Sequence, residues 1–375
     1  MDRYPEYRLG LVQRIRAECL YRFLAGARAW KGARGPVPVR SEFHHEHGPS
    51  LYWNESFYFN FTDPSLRIGG FTRIGMMPNQ KSAVGILFVF LEDGSILMLH
   101  QSEPIEAGRD DVAVGKLRYE RVRPLWEWRI RFDGNMLRLA DPRDLLALTG
   151  AASPASASQP RVEPSSVEVN LDLAFSGWSG CHDFKKTDLR FFSERFVSKG
   201  SRLKDLRAVG KVASEHYEQV GDVVGTIALD SRTLAIRGSG HRDHSWGERD
   251  WKAPERWTWL TAQFGREFAF NLSRVVIRSL DIFNGYVCRR GRNYALRRAH
   301  LETEFEADET TQKRVRVRLE DTSGWEADVD AEVLTVVPLT LAEGEHRTRV
   351  NEGLASYRWE GREGLGIAEY LHQVR

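Results

Sequence analysis

Trp126-Glu127-Trp128-Arg129-Ile130-Arg131-Phe132 alternates large apolar and charged side chains without a break. Successive side chains of a strand point to opposite faces, so one face here carries two tryptophans, an isoleucine and a phenylalanine, and the other is wet. Asp133-Gly134-Asn135 follows and reads as a turn leading into a partner strand over residues 136–139. The same period of two recurs on both sides. Upstream, residues 86–91 and 96–99 flank Glu92-Asp93-Gly94, a hairpin signal. Trp53, Glu55, Phe57, Phe59 and Phe61 share one face of another strand, with Asn54, Tyr58 and Asn60 on the other. Downstream, Val167, Val169, Leu171 and Leu173 alternate with Glu168, Asn170 and Asp172. Residues 223–229 and 233–236 bracket Asp230-Ser231-Arg232, and residues 257–264 and 268–272 bracket Gly265-Arg266. Val315, Val317 and Leu319, then Trp325, Ala327 and Val329, repeat the pattern. Many short strands at this spacing predict an all-β chain of sandwiches or barrels.

Helical signals are few. Leu9, Leu11, Val12, Ile15, Leu20, Phe23 and Leu24 fall at helical spacing and predict a short N-terminal helix within residues 6–30; residues 203–212 and 369–373 are weaker candidates. Residues 147–166 are small, polar and dotted with proline, a composition that cannot bury a core. They predict a linker between a first domain over residues 1–146 and a second over 167–375.

With 375 residues, 41% hydrophobic and 28% charged, the chain has material for one large or two medium cores. Its 54 basic and 52 acidic residues nearly cancel, which removes the electrostatic footprint of a nucleic-acid binder. Cys19, Cys181 and Cys288 lie far apart and match neither a zinc spacing nor a disulfide framework, as in a reducing compartment. No segment approaches the roughly 20 apolar residues of a membrane span, and the first residues lack the apolar core of a signal peptide. A cytoplasmic protein is the expectation. The basic amphipathic stretch over residues 6–30 packs on its own domain or makes weak contact with a membrane surface.

Residues 238–251, Gly-Ser-Gly-His-Arg-Asp-His-Ser-Trp-Gly-Glu-Arg-Asp-Trp, concentrate charge between glycines and tryptophans. Polar groups this dense beside aromatics can orient an apolar ligand and move a proton on it; they can equally form a salt-bridged corner. If the segment is extended, Arg242, His244 and Trp246 project together, with Asp243 and Ser245 opposite. Asp243 or Asp250 can orient His244 and fix its tautomer. A second cluster, Phe43-His-His-Glu-His47 with Glu55 after it, contains half a metal site in His45 and His47, but its spacing fits no standard ligand pattern. The expectation is therefore no metal. Dinucleotide-binding, Walker and nucleophile-elbow motifs do not occur, and Cys181 beside His182 would point away from it on a strand.

Three blocks carry a family resemblance: residues 238–251, the Trp-x-Glu-Ser of residues 53–56, and Asn-Glu-Gly through Tyr-x-Trp-x-Gly to Glu-Tyr over residues 351–370. They resemble the carotenoid 1,2-hydratase and AttH-like superfamily, which includes kievitone hydratase-like proteins and, more distantly, fungal Diels–Alderases and tocopherol cyclase-like folds. The resemblance implies two tandem lipocalin-like β domains. It implies proton-donating catalysis that adds water to isoprenoid double bonds without metal or organic cofactor, with His244 and Trp246 at the His-x-Trp positions. The family's Tyr/Asp pair on the following strand is replaced here by Phe268, Phe270, Asn271 and Ser273, so the acid role moves to Asp243, Asp250 or His244.

Together these readings predict an acid/base enzyme of hydratase, isomerase or cyclase type on an isoprenoid-, steroid- or polyketide-like substrate. Its expected catalytic residues are His244, Asp243, Asp250 and Trp246. Arg242, Arg249, Trp251, Trp257, Trp259, Trp53 and Glu55 are expected to bind substrate, with Arg242 anchoring an oxygen. The competing expectation is a non-catalytic lipocalin-like carrier of a hydrophobic small molecule.

Overall fold

The computed structural model describes residues 4, 7–30, 35–105, 111–149, 163–201, 215–278, 280–343 and 345–374. Its first sheet contains β1 (Trp53–Asp63), β2 (Ile68–Met77), β3 (Ser82–Phe90), β4 (Ile96–Pro104), β5 (Val112–Val114), β6 (Leu117–Arg123), β7 (Glu127–Leu139), β8 (Ser165–Gly177), β9 (His182–Asp183), β10 (Glu215–Leu229) and β11 (Arg232–Glu248). Pairing runs β4-β3-β2-β1-β11-β10-β8-β7-β6-β5, with β9 on β10. A further pairing of β4 with β7, Ile96 opposite Leu139, joins the path into a circuit of β4, β3, β2, β1, β11, β10, β8 and β7. The second sheet is β12 (Arg256–Phe264), β13 (Phe268–Ile277), β14 (Leu280–Arg289), β15 (Arg292–Phe305), β16 (Gln312–Asp321), β17 (Glu326–Glu343), β18 (His346–Trp359) and β19 (Arg362–Val374). These close in chain order into a barrel, with β12 against β19. Closure leaves no open edge, the usual resolution of an antiparallel all-β design.

The alternation read from the sequence sets the inside. Trp128, Ile130 and Phe132 join Val167, Val169, Leu171 and Leu173 in the core of the first barrel, while Arg129 on the outer face donates to Asp172 at 2.6 Å. The hairpins expected around Gly94, Asp230 and Gly265 are present, closing with Phe90 opposite Ile96, Leu229 opposite Arg232 and Phe264 opposite Phe268. Asp133-Gly134-Asn135 is not a turn. It continues β7, with Gly134 opposite Val169, because β8 is long enough to pair along the whole segment.

The expected domain boundary does not coincide with the break between the sheets. β8, β10 and β11 lie beyond residues 147–166 yet complete the first barrel, β8 against β7 and β11 against β1. The break falls between Glu248 and Arg256, so the His-x-Trp segment belongs to the first barrel. The small, polar stretch, of which residues 150–162 lie outside the described residues, connects two neighbouring strands of one sheet.

Helix α1 (Leu11–Trp30) rests Leu20 on Phe196 and Leu280, and leaves Leu11, Val12, Ile15 and Phe23 exposed. Helix α2 (Asp144–Leu148) follows β7. Helix α3 (Leu189–Ser198) starts at Asp188, whose carboxylate accepts from the Arg190 and Phe191 backbone N–H groups at 2.9 Å. Residues 369–373 are part of β19, not a helix, and the 203–212 candidate lies outside the described residues. Among the described residues no helix is long and apolar enough to cross a membrane.

The barrels share a seam. Tyr58, Phe71, Phe88 and Phe90 of the first pack with Trp259, Val337, Leu354 and Ile367 of the second, and Val220 packs with Ala269, Tyr286 and Cys288. Each such side chain contributes about 1.5–3 kcal/mol on burial, enough to hold the two barrels together.

Candidate active site

Strand β11 is the wall between two polar clusters. Its glycines allow it to lie tightly on β1: a Cβ on Gly238 or Gly240 would fall 1.9 Å from the carbonyl oxygen of Thr62 or Asn60. Alternation then sends Arg242, His244 and Trp246 to the inside of the first barrel, and His241, Asp243 and Ser245 toward the second.

On the inner face, the lateral neighbours of His244 are Phe57 and Tyr217. The His244 ring stacks on Phe57 at 4.0 Å, donates from Nε2 to Glu55 Oε1 at 2.9 Å, and accepts at Nδ1 from the Tyr217 hydroxyl at 3.0 Å. Glu55 also accepts from His45 Nδ1 at 2.8 Å and from the His45 backbone N–H at 3.1 Å, with His44 Nδ1 3.4 Å away. Trp246 stacks on His45 at 3.7 Å and 8°. Burial would raise the Glu55 carboxyl, but hydrogen bonds from His244, His44 and His45 hold it well below the ordinary range. Burial in turn lowers the His244 imidazole, against the pull of Glu55. The donor atoms of His45, Glu55 and His244 lie within 4.8 Å of one another, as do those of His216, Glu218 and Asp243 on the other face.

Deeper in the same barrel, Arg242 is bound to Glu42 at 2.7 and 3.1 Å, to Gln219 Oε1 at 2.8 Å and to Cys181 Sγ at 3.3 Å. Glu42, on a single 3-10 turn over Val39–Glu42, further accepts from Trp128 Nε1 at 3.1 Å and from the Leu125 backbone N–H. Burial works to raise this carboxyl; the Arg242 charge overrides it and keeps it below the ordinary range.

On the outer face, register assembles a lateral row in the first sheet: Arg73, Tyr58, Asp243, Glu218 and His182, from β2, β1, β11, β10 and β9. A second row stands in the other sheet: Ser273, Trp259, Glu369 and Glu352, from β13, β12, β19 and β18. The rows meet. Trp259 donates to Glu218 Oε1 at 2.9 Å, and its ring meets Tyr58 edge to face at 5.4 Å. Glu218 Oε2 lies 3.1 Å from His241 Nε2, which accepts from the Tyr286 hydroxyl at 2.8 Å.

Electrostatically this face is the reverse of the inner one. Burial, reinforced by the Asp243 charge, raises the Glu218 carboxyl. Glu352 and Glu369, adjacent on β18 and β19, are raised by burial, and the Glu369 charge pushes Glu352 further. Burial lowers His241 to about 3, so its ring is neutral. Buried polar atoms without a protein partner cluster here: both amide atoms of Asn271, His241 Nδ1, Trp257 Nε1 and Glu352 Oε2. A buried polar atom left without any partner costs about 1–3 kcal/mol.

Two cavities lie within the barrels among the described residues. One inside the first, among Phe59, Phe61, Leu171 and Phe175, has about 10 Å³, room for about one water. A cavity of about 170 Å³ at one end of the second, beside Arg256, Arg274, Tyr370 and His372, is smaller than the ~300–1,000 Å³ of ligand pockets.

A family model described as a domain of unknown function, DUF7064, matches residues 38–374. The chain belongs to the DUF7064 family. No curated protein matches it in sequence. Among solved structures, it is similar to the AttH protein NE1406 of Nitrosomonas europaea, at 13% identity and a TM-score of 0.56 over 92% of this chain and 98% of that one. It is also similar to kievitone hydratase of Nectria haematococca, at 11% identity and a TM-score of 0.53 over 91% and 94% of the two chains. CghA aligns at 11% identity and a TM-score of 0.50 over 86% and 89%. These likenesses bear out the two-domain, lipocalin-like all-β fold that the sequence resemblance implied.

In this DUF7064 chain the expected site residues separate. His244, Trp246 and Glu55 come together inside the first barrel, where Glu55 and Tyr217 orient His244; Asp243 and Asp250 do not. Asp243 faces the other barrel, and Asp250 accepts from the Lys252 backbone N–H at 3.0 Å in a turn. The buried Arg242 guanidinium, expected to anchor a substrate oxygen, donates instead to Glu42, Gln219 and Cys181. Arg249 donates to Ser245 Oγ and lies over Trp251 at 5.4 Å. Trp257 and Trp259 are in the seam, and Trp53 stands at the start of β1, 5.9 Å from the His47 ring. The sequence reading missed Glu42, Tyr217, Glu218, His241 and Tyr286. Glu352 and Glu369 stood in its Asn-Glu-Gly and Glu-Tyr blocks without a role.

Proposed function

We propose that this protein is an acid/base enzyme of hydratase, isomerase or cyclase type, in which buried glutamic acids between the two barrels protonate an unsaturated, largely apolar substrate. The carrying observation is the pair of facing rows that sets Glu218, Glu352 and Glu369 beside Tyr58 and Trp259 with their carboxyls raised. A carboxyl that stays protonated near neutral pH is a proton donor, and general acid catalysis of this kind is worth about 10²–10⁴-fold. The faces of Tyr58 and Trp259 are suited to stabilise positive charge developing on carbon. Asn271 supplies an unpaired amide for a substrate oxygen or an added water. The half-buried Asp243 and Arg249 connect the rows to solvent, from which the acids are reprotonated.

The acid role thus passes from His244, whose imidazole burial lowers, to the glutamates, whose carboxyls burial raises. An isoprenoid, steroid or polyketide-like substrate suits the apolar seam, and the fold shared with kievitone hydratase and CghA supports this reading. The test is to incubate the protein with a panel of unsaturated isoprenoids, steroids and polyketides in deuterated water and follow carbon-bound deuterium by mass spectrometry. Glu218→Gln and Glu369→Gln, which mimic the protonated acids, are expected to lower uptake about 10²–10⁴-fold. Uptake unchanged in both variants would contradict the proposal. A lipid that co-purifies with the protein and takes up no label would support the carrier.

A further inference from the structure

We propose that His45, Glu55 and His244 form a binding site for a divalent transition metal of the zinc type, which ties the segment before β1 to the rim of the first barrel. The two imidazole nitrogens already converge on one carboxylate oxygen, His45 Nδ1 at 2.8 Å and His244 Nε2 at 2.9 Å. In a tetrahedral zinc site, with metal–ligand bonds of about 2.0–2.2 Å, neighbouring donor atoms stand about 3.4 Å apart. The rings would therefore have to spread by only about half an ångström, given that tetrahedral spacing.

Their orientation is fixed from behind, as in established metal sites. With Nε2 given to a metal, Nδ1 of His244 would carry the ring proton and donate it to the Tyr217 hydroxyl, 3.0 Å away, while the ring stays stacked on Phe57. His45 is held flat against Trp246 at 3.7 Å, and its backbone N–H positions the other Glu55 oxygen at 3.1 Å. The nearest further donor is His44, with Nδ1 3.4 Å from that oxygen. Two imidazoles with one carboxylate select zinc and its first-row neighbours over calcium or magnesium, which take oxygen donors. Access comes from one side: His44 and His45 are each 21% exposed, whereas His244 and Glu55 are buried. The chain spacing hid the site because β1 and β11 bring residues 55 and 244 together across the sheet.

This site and the glutamic acids lie on opposite faces of β11, so the two proposals fail separately. The test is zinc titration of the chelator-treated full chain against a chromophoric chelator, with cobalt substitution read by its visible absorption. One equivalent is expected in the wild type and in His216→Ala, which alters the other candidate group. His45→Ala, outside the strands of either barrel, and Glu55→Gln are expected to bind more than about tenfold more weakly. Tyr217→Phe is expected to lose about 10–100-fold, the usual effect of removing a supporting partner. Absence of stoichiometric zinc binding by the wild type, or wild-type affinity in both His45→Ala and Glu55→Gln, would overturn the proposal.

Discussion

Glu42 and Glu352 are both buried carboxyl groups, and their surroundings drive them in opposite directions. Glu42 is held ionised by the bidentate Arg242 guanidinium, whereas Glu352 stands in register between Val337 and another carboxyl, Glu369. Removing the charge from Glu42 strands a fully buried guanidinium, and breaking such a pair typically costs about 3–5 kcal/mol. Glu42→Gln is therefore expected to lower the urea-unfolding free energy by about that amount, and a loss below about 1 kcal/mol would show that Gln219 and Cys181 suffice for Arg242. Neither partnership was legible beforehand, because Glu42 and Arg242 are 200 positions apart. The composition around His244 did announce a polar cluster and, through alternation, the correct face for each of its members. What alternation could not supply was the lateral neighbour. In a strand that neighbour is set by register with a distant segment, here Phe57 and Tyr217.

At the scale of strands and helices, local signals were dependable where the structure is local. Hairpins with a short connection, such as β3 to β4 and β12 to β13, followed from alternation and a glycine. Asp133-Gly134-Asn135 misled because turn residues are also tolerated inside a strand whose partner is long enough to pair past them. Helix α3, capped by Asp188, was not among the helices read from the sequence. Residues 147–166 misled in a further way: their composition is that of any solvated connection, and does not say whether it joins two domains or two strands of one barrel. A direct check is a protease site introduced within residues 150–162. After cleavage the two pieces are expected to co-elute on gel filtration without denaturant, since β7 pairs with β8 from Glu127 opposite Ser176 to Arg138 opposite Ser165, and β1 pairs with β11. Separation into two stable pieces would restore the boundary read from composition.

Across the whole molecule, the two barrels act as walls for the seam between them, and the seam holds the acids. This arrangement gives stability a sign with pH. Burial raises the folded-state values of Glu218, Glu352 and Glu369 above the ordinary 4.5, so the folded protein binds more protons than the unfolded chain. Their stabilising contribution is complete below that value and is lost as pH rises through the raised ones. Glu42 and Glu55, held low, contribute stability above 4.5 that is lost as pH falls through their folded values. The central claim is that the carboxyls between the barrels are still protonated at neutral pH, and it can be tested without knowing the substrate. Infrared spectroscopy across a pH titration, comparing the wild type with Glu218→Gln, Glu352→Gln and Glu369→Gln, reads the carbonyl stretch of protonated carboxylic acids directly. The account predicts that this band is present at neutral pH, disappears only on further alkalinisation, and weakens in each variant. A wild type whose band is already gone at neutral pH would contradict it.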